Sequence, residues 1–316
     1  MTNREVCAFL RERDDFVILT HRRPDGDTIG SAAALCRGLR ALGKRAFVLQ
    51  NRQFTPRYRP WLDGLICESA PEGSLLVAVD IAAPELLSFD AEAMAGRIAL
   101  AIDHHPGSSL PCEKLTDGAC AACAELIYAL LCELGAPIDR LTAECLYLAI
   151  STDTGCFRYS NVTAQTLRTA ASLVELGAQI APINKLFFDT KSRSRLQLEA
   201  RLTDSMELYA DGLAAICVLR QSWLDELQIT EDEIDSISGF PRSVEGVQIG
   251  VMLREVEGGK GKISLRTAPA YRADKLCAML GGGGHAAAAG ASVDGGIDAA
   301  KRAVLRILRE QNIIKD

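Results

Sequence analysis

Apolar residues in the first half of the chain fall into short unbroken runs, separated by stretches with a helical repeat. Phe16-Val-Ile-Leu-Thr20 has the pattern of a buried strand and ends at His21. After a polar turn, Thr28 to Leu42 keeps one apolar helical face, and Ala46 to Leu49 is the next strand. Leu75 to Val79 and Ile98 to Ile102 are two further runs, each stopping at an aspartate, Asp80 and Asp103. Strands without polar alternation belong to a parallel sheet covered on both faces. The pattern therefore predicts βαβ units. Three strand ends would carry His21, Asp80 and Asp103 into one crevice, because ligands of open parallel sheets bind beyond the carboxyl ends of the strands.

Helical periodicity follows over Ala119 to Leu134, Leu141 to Ser151 and Thr163 to Leu176, with Asp153 expected just beyond the second of these helices. Ile183 to Tyr209 has few turn signals and many charges, which predicts a helical connector. A new module is expected near Asp211-Gly212. It would contain a strand (Leu213 to Leu219), a helix (Glu231 to Ile237), strands over Val247 to Leu253 and Lys262 to Thr267, a short helix (Ala273 to Leu280), a glycine run and a final helix (Ile297 to Gln311). The expected fold is α/β. A first domain (1–185) has a mainly parallel sheet flanked by helices, a helical connector spans 186–210, and a smaller α/β domain occupies 211–316.

Composition narrows the function classes. The chain has 316 residues, 48% of them hydrophobic and 24% charged, enough for two domains with separate cores. The charged start and the lack of any apolar run near the roughly 18 residues of a membrane span predict a cytoplasmic protein, neither exported nor inserted in a membrane. Eleven cysteines, an odd number and mostly single within apolar segments, fit buried thiols in a reducing compartment. Cys120-Ala-Ala-Cys123 has zinc-like spacing but lacks a second pair and lies in an alanine-rich segment, so packing is its expected role. A net charge of -6 argues against long duplex nucleic acid as a partner and leaves small phosphate-bearing substrates open.

The candidate chemistry is concentrated around the four histidines. His21-Arg-Arg-Pro-Asp25-Gly-Asp27 sets an imidazole and two carboxylates on a loop after a strand. Neutral imidazole and carboxylate together suit a divalent cation, although Asp25-Gly26 alone would read as a surface turn. Asp80 ends an apolar run where an ionised carboxylate is costly unless it is paired or metal-bound, and capping the next helix is the alternative. In Asp103-His104-His105, adjacent rings cannot easily reach one point. One ring could bind metal while the other faces substrate, with Asp103 orienting an imidazole. Asp153, in Ser151-Thr-Asp-Thr-Gly155, gains weight only from this company. Gly281 to Gly284 before His285 would let the backbone approach an anion closely, or else form a flexible turn. Ser264 and Arg266 share one face of a strand, suited to a phosphate oxygen or a base edge, and solvated alternation explains the pair equally well.

Taken together and in order, His21-Arg-Arg-Pro-Asp25-Gly-Asp27 with Gly30-Ser31, Asp80, Asp103-His104-His105, Ser151-Thr-Asp153-Thr-Gly155 and Gly282-Gly-Gly-His285-Ala-Ala-Ala-Ala-Gly290 resemble the motif set of the DHH/DHHA1 phosphoesterases. The resemblance spans essentially the whole chain. It is nearest to the stand-alone nanoRNase and cyclic-dinucleotide phosphodiesterase type. It implies two manganese ions, with magnesium or cobalt as possible substitutes. His21, Asp25 and Asp80 would hold one ion, and Asp27, Asp80, His104 and Asp153 the other, Asp80 bridging. His105 would face the phosphate and Asp103 would steady the site. Ser264, Arg266, Gly283, Gly284 and His285 of the second domain, together with Arg158, would contact substrate. Ala286 and Ala287 stand where relatives often carry larger or polar residues, so the resemblance leaves the fine substrate preference open.

Such a site implies metal-dependent hydrolysis of short RNA oligonucleotides or dinucleotides (pApA, cyclic di-AMP), with 3′-phosphate removal from adenosine 3′,5′-bisphosphate as a related activity. A homodimer and closure of the two domains around substrate are further implications of the resemblance. Among the rivals, a family II pyrophosphatase would lack the glycine-histidine module, and a RecJ-like exonuclease would be expected to be longer. A nucleotide sensor without catalysis would have little reason to keep all six ligand-type residues.

Overall fold

The computed structural model describes residues 1–230, 233–256 and 258–315. The chain divides into two compact units, Met1–Thr190 and Lys191–Asp316. No helix among the described residues is long and apolar enough to cross a membrane.

The first unit runs α1 (Asn3–Glu12), β1 (Phe16–Leu19), α2 (Gly26–Ala41), β2 (Ala46–Leu49), α3 (Arg59–Leu62), β3 (Ile66–Cys67), β4 (Leu75–Val79), β5 (Ile98–Asp103), β6 (Glu113–Thr116), α4 (Cys123–Leu134), α5 (Arg140–Asp153), α6 (Ala164–Glu175) and α7 (Ile180–Asn184). Its six strands are ordered β3-β2-β1-β4-β5-β6, and every pairing is parallel. The order of connection reverses between β1 and β4, and at that reversal the loops leaving the two strands part and open a crevice. His21 follows β1 and Asp80 follows β4, so the two sit at the crevice because of topology rather than sequence proximity.

The strands are apolar throughout because both faces are covered. Phe16, Ile18, Val77, Val79, Leu100 and Ile102 pack with α1, α2, α4 and α5, whereas Val17, Leu19, Leu76, Ala78 and Ala101 pack beneath Ile81, Leu87, Ala91 and Leu110. Regular helices crowd the first face. The second is closed by short 3-10 turns over Pro84–Leu86 and Glu92–Arg97.

Helices α2 and α5 approach closely because α2 presents glycine toward α5. A Cβ at Gly30 would overlap the carbonyl oxygen of Cys145, and one at Gly26 would overlap the side chain of Thr152. This contact sets the first turn of α2, carrying Asp25 and Asp27, beside the last turn of α5, which carries Asp153.

The second unit contains α8 (Arg193–Asp204), β7 (Glu207–Tyr209), β8 (Ala214–Leu219), α9 (Gln221–Leu227), β9 (Ile249–Val256), β10 (Lys260–Thr267), α10 (Ala273–Ala278), β11 (Gly283–Gly284), β12 (Ala288–Asp294) and α11 (Gly296–Glu310). Its sheet, ordered β11-β12-β10-β9-β8-β7, is antiparallel except for the β8–β9 pair. Ile263 and Leu265 point into a core with residues of α10 and α11. The opposite face carries Met252 and Cys217 against residues of α8 and α9.

Several elements differ from the sequence reading. Helix α4 starts at Cys123 rather than Ala119, since Asp117 folds the preceding residues into a turn by accepting from the Ala119 N–H at 2.9 Å. Asp153 is the last residue of α5 and not beyond it. The expected helical connector is broken: a π-helical turn over Lys185–Asp189 ends it, and Ser192 caps a new helix by accepting from the Arg195 N–H at 2.9 Å. The helix expected over 231–237 begins outside the described residues, and the structure describes a 3-10 run over Asp235–Ser243 in that region. Strands β3, β6, β7, β11 and β12 were not anticipated. They are short, polar or built from Ala and Gly, so neighbouring strands and not their own propensity make them strands.

Gly30→Ala tests the helix contact. The expected loss is about 1–3 kcal/mol of stability, as for an overpacked core, read by urea denaturation. Unchanged stability would show that α2 and α5 can separate without cost.

Candidate metal centre

The carboxyl edge of the first sheet gathers His21, Asp25, Asp27, Asp80, His104, His105 and Asp153 into overlapping groups of potential ligands: His21, Asp25 and Asp80; Asp27, His104 and Asp153; and Asp80, His104 and His105. Asp80 and His104 each belong to two groups.

Backbone contacts orient both histidine rings. Nδ1 of His21 lies 2.8 Å from the carbonyl oxygen of Arg22, and Nδ1 of His104 lies 3.2 Å from that of Cys120. A carbonyl can only accept, so each Nδ1 carries a hydrogen and each Nε2 is turned toward the carboxylates. His21 Nε2 is 3.5 Å from Asp25 and 3.6 Å from Asp80. His104 Nε2 is 3.6 Å from Asp80, 3.6 Å from Asp153 and 3.8 Å from Asp27.

The carboxylates are fixed just as firmly. Asp25 caps α2, accepting from the N–H groups of Asp27 at 3.0 Å and Thr28 at 3.2 Å. Asp27, only 1% exposed, accepts from Ser31 Oγ at 2.9 Å and from the first N–H groups of α4, Cys123 at 2.7 Å and Ala124 at 3.2 Å. It thereby supplies the cap that Ala122 lacks. Asp80 holds a left-handed backbone, φ 59°, which an aspartate tolerates better than most residues, and its N–H donates to Ile102 at 2.9 Å. Asp103 is fully buried at the end of β5 and accepts through Oδ1 from the His105 N–H at 3.0 Å and ring Nδ1 at 2.8 Å.

The cluster fits a divalent cation on three grounds. Separations of 3.5–3.8 Å are too long for good hydrogen bonds. They suit two donors that each lie about 2.1 Å from a shared ion. Asp80 Oδ1 is buried without a hydrogen-bond partner among the described residues, since His105 Nδ1, 3.4 Å away, is committed to the nearer Asp103. The charges also conflict in the absence of a cation. Burial, then the charge of Asp27, pushes Asp80 well above the carboxylate range. Burial and the charges of Asp27, Asp25 and Asp80 push Asp153 up to about 9, and burial raises Asp27. Burial opposes protonation of His21, but Asp25 and Asp80 prevail and raise it to about 9. Asp25 goes the other way: burial would raise it, yet His21 and the helix N–H groups hold it below the usual range. The hydrogen bond to Asp103, and then the nearby Asp80 carboxylate, raise His105 to about 11. Protons and a cation therefore compete for the same lone pairs.

The two cysteines stay out of this chemistry. Cys123 Sγ donates to the Ile102 carbonyl at 3.2 Å, and burial raises its thiol well above normal and that of Cys120 to about 12. Arg158 is exposed on the turn after α5, with Nε donating to the Gly155 carbonyl at 2.5 Å. In the second unit, Ser264 and Arg266 share the Met252 face of β10, and Arg266 donates to Ser238 Oγ at 2.9 Å. Gly283 and Gly284 pair with β12, and exposed His285 opens a tight turn, its N–H donating to the Ala288 carbonyl at 2.8 Å.

Residues 15–150 match the model of the DHH family, N-terminal domain, and residues 213–311 match that of the DHHA1 domain. The bifunctional oligoribonuclease and PAP phosphatase NrnA of Thermus thermophilus is 34% identical over 303 residues, 93% of this chain and 89% of that one. The chain belongs to the DHH family of phosphoesterases. A second relative of this DHH protein, the bifunctional oligoribonuclease and PAP phosphatase NrnA of Bacillus subtilis, is 26% identical over 92% of each chain. The solved structure of an exopolyphosphatase-related protein from Bacteroides fragilis shares the fold, with a TM-score of 0.87 and 24% identity over 98% of this chain and 95% of that one.

Supporting residues of the DHH site escaped the sequence reading. Asn51, 1% exposed after β2, donates to the His21 carbonyl at 3.0 Å and to Thr20 Oγ1 at 3.1 Å. Asn161 ties the Asp153 carbonyl to that of Ala121, at 3.2 and 3.1 Å. Glu125 accepts from the Ala121 N–H at 3.0 Å and from Thr166 at 2.9 Å, anchoring the loop whose Cys120 carbonyl orients His104. An amide directly after a strand run was the one local signal available, at Asn51.

Because the surrounding groups push His21 and Asp153 up to about 9, a divalent cation must displace protons from the cluster. Affinity is expected to rise from pH 6 toward 9 with proton release, measured by calorimetry in buffers of differing ionisation enthalpy. An affinity independent of pH would remove these groups from the ligand set.

Proposed function

We propose that this chain is a manganese-dependent phosphodiesterase. Its substrates would be very short oligoribonucleotides and dinucleotides, pApA and cyclic di-AMP among them, cleaved to mononucleotides. Removal of the 3′-phosphate from adenosine 3′,5′-bisphosphate would be a second activity of the same site. The observation that carries the reading is Asp80, a buried carboxylate shared between two groups of potential ligands, with an oxygen that lacks a hydrogen-bond donor among the described residues. Similarity to the Thermus oligoribonuclease and PAP phosphatase over nearly the full length supports the substrate class.

In this reading His21, Asp25 and Asp80 hold one ion, and Asp27, Asp80, His104 and Asp153 hold the second. Bound there, two divalent ions supply positive charge to the phosphoryl oxygens and lower the pKa of water. The protein's own groups position and donate. Asp103 fixes the His105 ring through Nδ1, so any contact with a phosphate oxygen of the substrate goes through Nε2. Asp103 is thus a positioning residue and His105 a catalytic one. Arg158 is a further phosphate contact in the first unit. In the second, Ser264, Arg266 and His285 supply an O–H, a guanidinium and an imidazole to the substrate, and Gly283 and Gly284 expose backbone beside them.

A substrate panel with manganese tests the reading. Asp80→Ala should lower turnover by more than the roughly 10–100-fold typical of an outer metal partner. Wild-type turnover in that variant would overturn the dimetal assignment. Substrate binding by the wild-type chain without manganese-stimulated turnover would identify a sensor instead. His285→Ala should raise KM about tenfold, the value of one charge-assisted hydrogen bond. An unchanged KM on every substrate would remove His285 from substrate binding.

A further inference from the structure

The segment that pairs with His21 carries an aromatic side chain that the proposed chemistry does not use. The segment after Asp80 returns to His21: the Arg22 N–H donates to the Leu86 carbonyl at 2.6 Å, and His21 forms an antiparallel bridge with Leu87. Leu87 and Ser88 are buried, and the next residue, Phe89, turns out with 47% of its surface exposed. The Arg22 guanidinium lies 3.9 Å from the centre of its ring. Arg52 lies 5.9 Å from the same centre and is held by Asp90, so Arg22 is the nearer of the two cations on the ring. Arg22 Nε is buried with no hydrogen-bond partner among the described residues, and its only ion pair is the 3.5 Å contact with exposed Glu92.

One guanidinium lies over the ring, on a segment that forms a backbone bridge with a candidate metal ligand. Aromatic rings, and arginine guanidinium planes, are surfaces on which bases of single-stranded nucleic acid stack. We propose that Phe89, supported by Arg22, is a stacking platform for a nucleobase of the substrate, on the His21 side of the centre. This deepens the phosphodiesterase reading and rests on it. The platform recognises a flat π-face, so it selects nucleotide esters over other phosphate esters while tolerating different bases.

The test compares a linear diadenylate with the same diester lacking both bases, on the manganese-loaded full chain. Phe89→Ala is expected to raise KM for the diadenylate about tenfold with kcat within about twofold, and Phe89→Trp to restore it. KM for the base-free diester should move less than about twofold, since it has nothing to stack. Phe89→Leu, which keeps the apolar bulk, should behave as Phe89→Ala and serves if the alanine variant is unstable. An unchanged KM for diadenylate, or equal changes for both substrates, would overturn the platform while leaving the phosphodiesterase reading intact. Wild-type protein inactive on both diesters would overturn that reading and the platform with it.

Discussion

Asp27, Asp80 and Asp153 cannot all stay ionised within a few ångströms of one another in a buried crevice unless positive charge joins them. Asp27 is held by the first N–H groups of α4, which favour its charge, whereas the other two sit in backbone geometry that costs something locally: Asp80 occupies a left-handed conformation, and Asp153 lies at the carboxyl end of α5, the end of a helix that disfavours an anion. A fold that holds carboxylates in such places spends stability on a ligand set, and burial then raises their proton affinity to the point where only protons or a cation can resolve the conflict.

The architecture of the first unit serves this arrangement. The reversal between β1 and β4 opens the crevice, and the glycine face of α2 lets α5 bring Asp153 against Asp27. Asp27 also joins two parts of the fold, since it starts α4 while facing His104. Losing its charge would loosen a helix start as well as a ligand group. Carbonyl oxygens of Arg22 and Cys120 fix the ring tautomers, so the chemistry of both imidazoles depends on where the loop backbones place these two carbonyls.

The second unit uses backbone more than side chains. Gly283 and Gly284 form a short strand against β12, and the turn at His285 closes on Ala288. Strand β12 of this hairpin pairs along β10, and one face of these strands is filled by α10 and α11. Arg266 is held by Ser238 from the 3-10 run, a contact that its strand alternation could not reveal.

Much of this was legible in the chain alone. Apolar runs ending at His21, Asp80 and Asp103 specified parallel strands and the residues at their ends, because a strand buried on both faces has no other composition and a polar residue can return only where the sheet stops. The ordered motifs identified the family. Hidden from the sequence were the contacts between distant segments: Asp27 capping α4, Gly30 against Cys145, Asn51 and Asn161 holding carbonyls, and Phe89 set on Arg22. Periodicity also could not find β12, whose alanines and glycines become a strand only when β10 offers hydrogen bonds. The sequence by itself determined which side chains stand at the ends of which strands, since that follows from local hydrophobic pattern. Only the tertiary structure decided which ring nitrogens and carboxylate oxygens face one another, since that depends on how closely helices pack and where loops return their carbonyls.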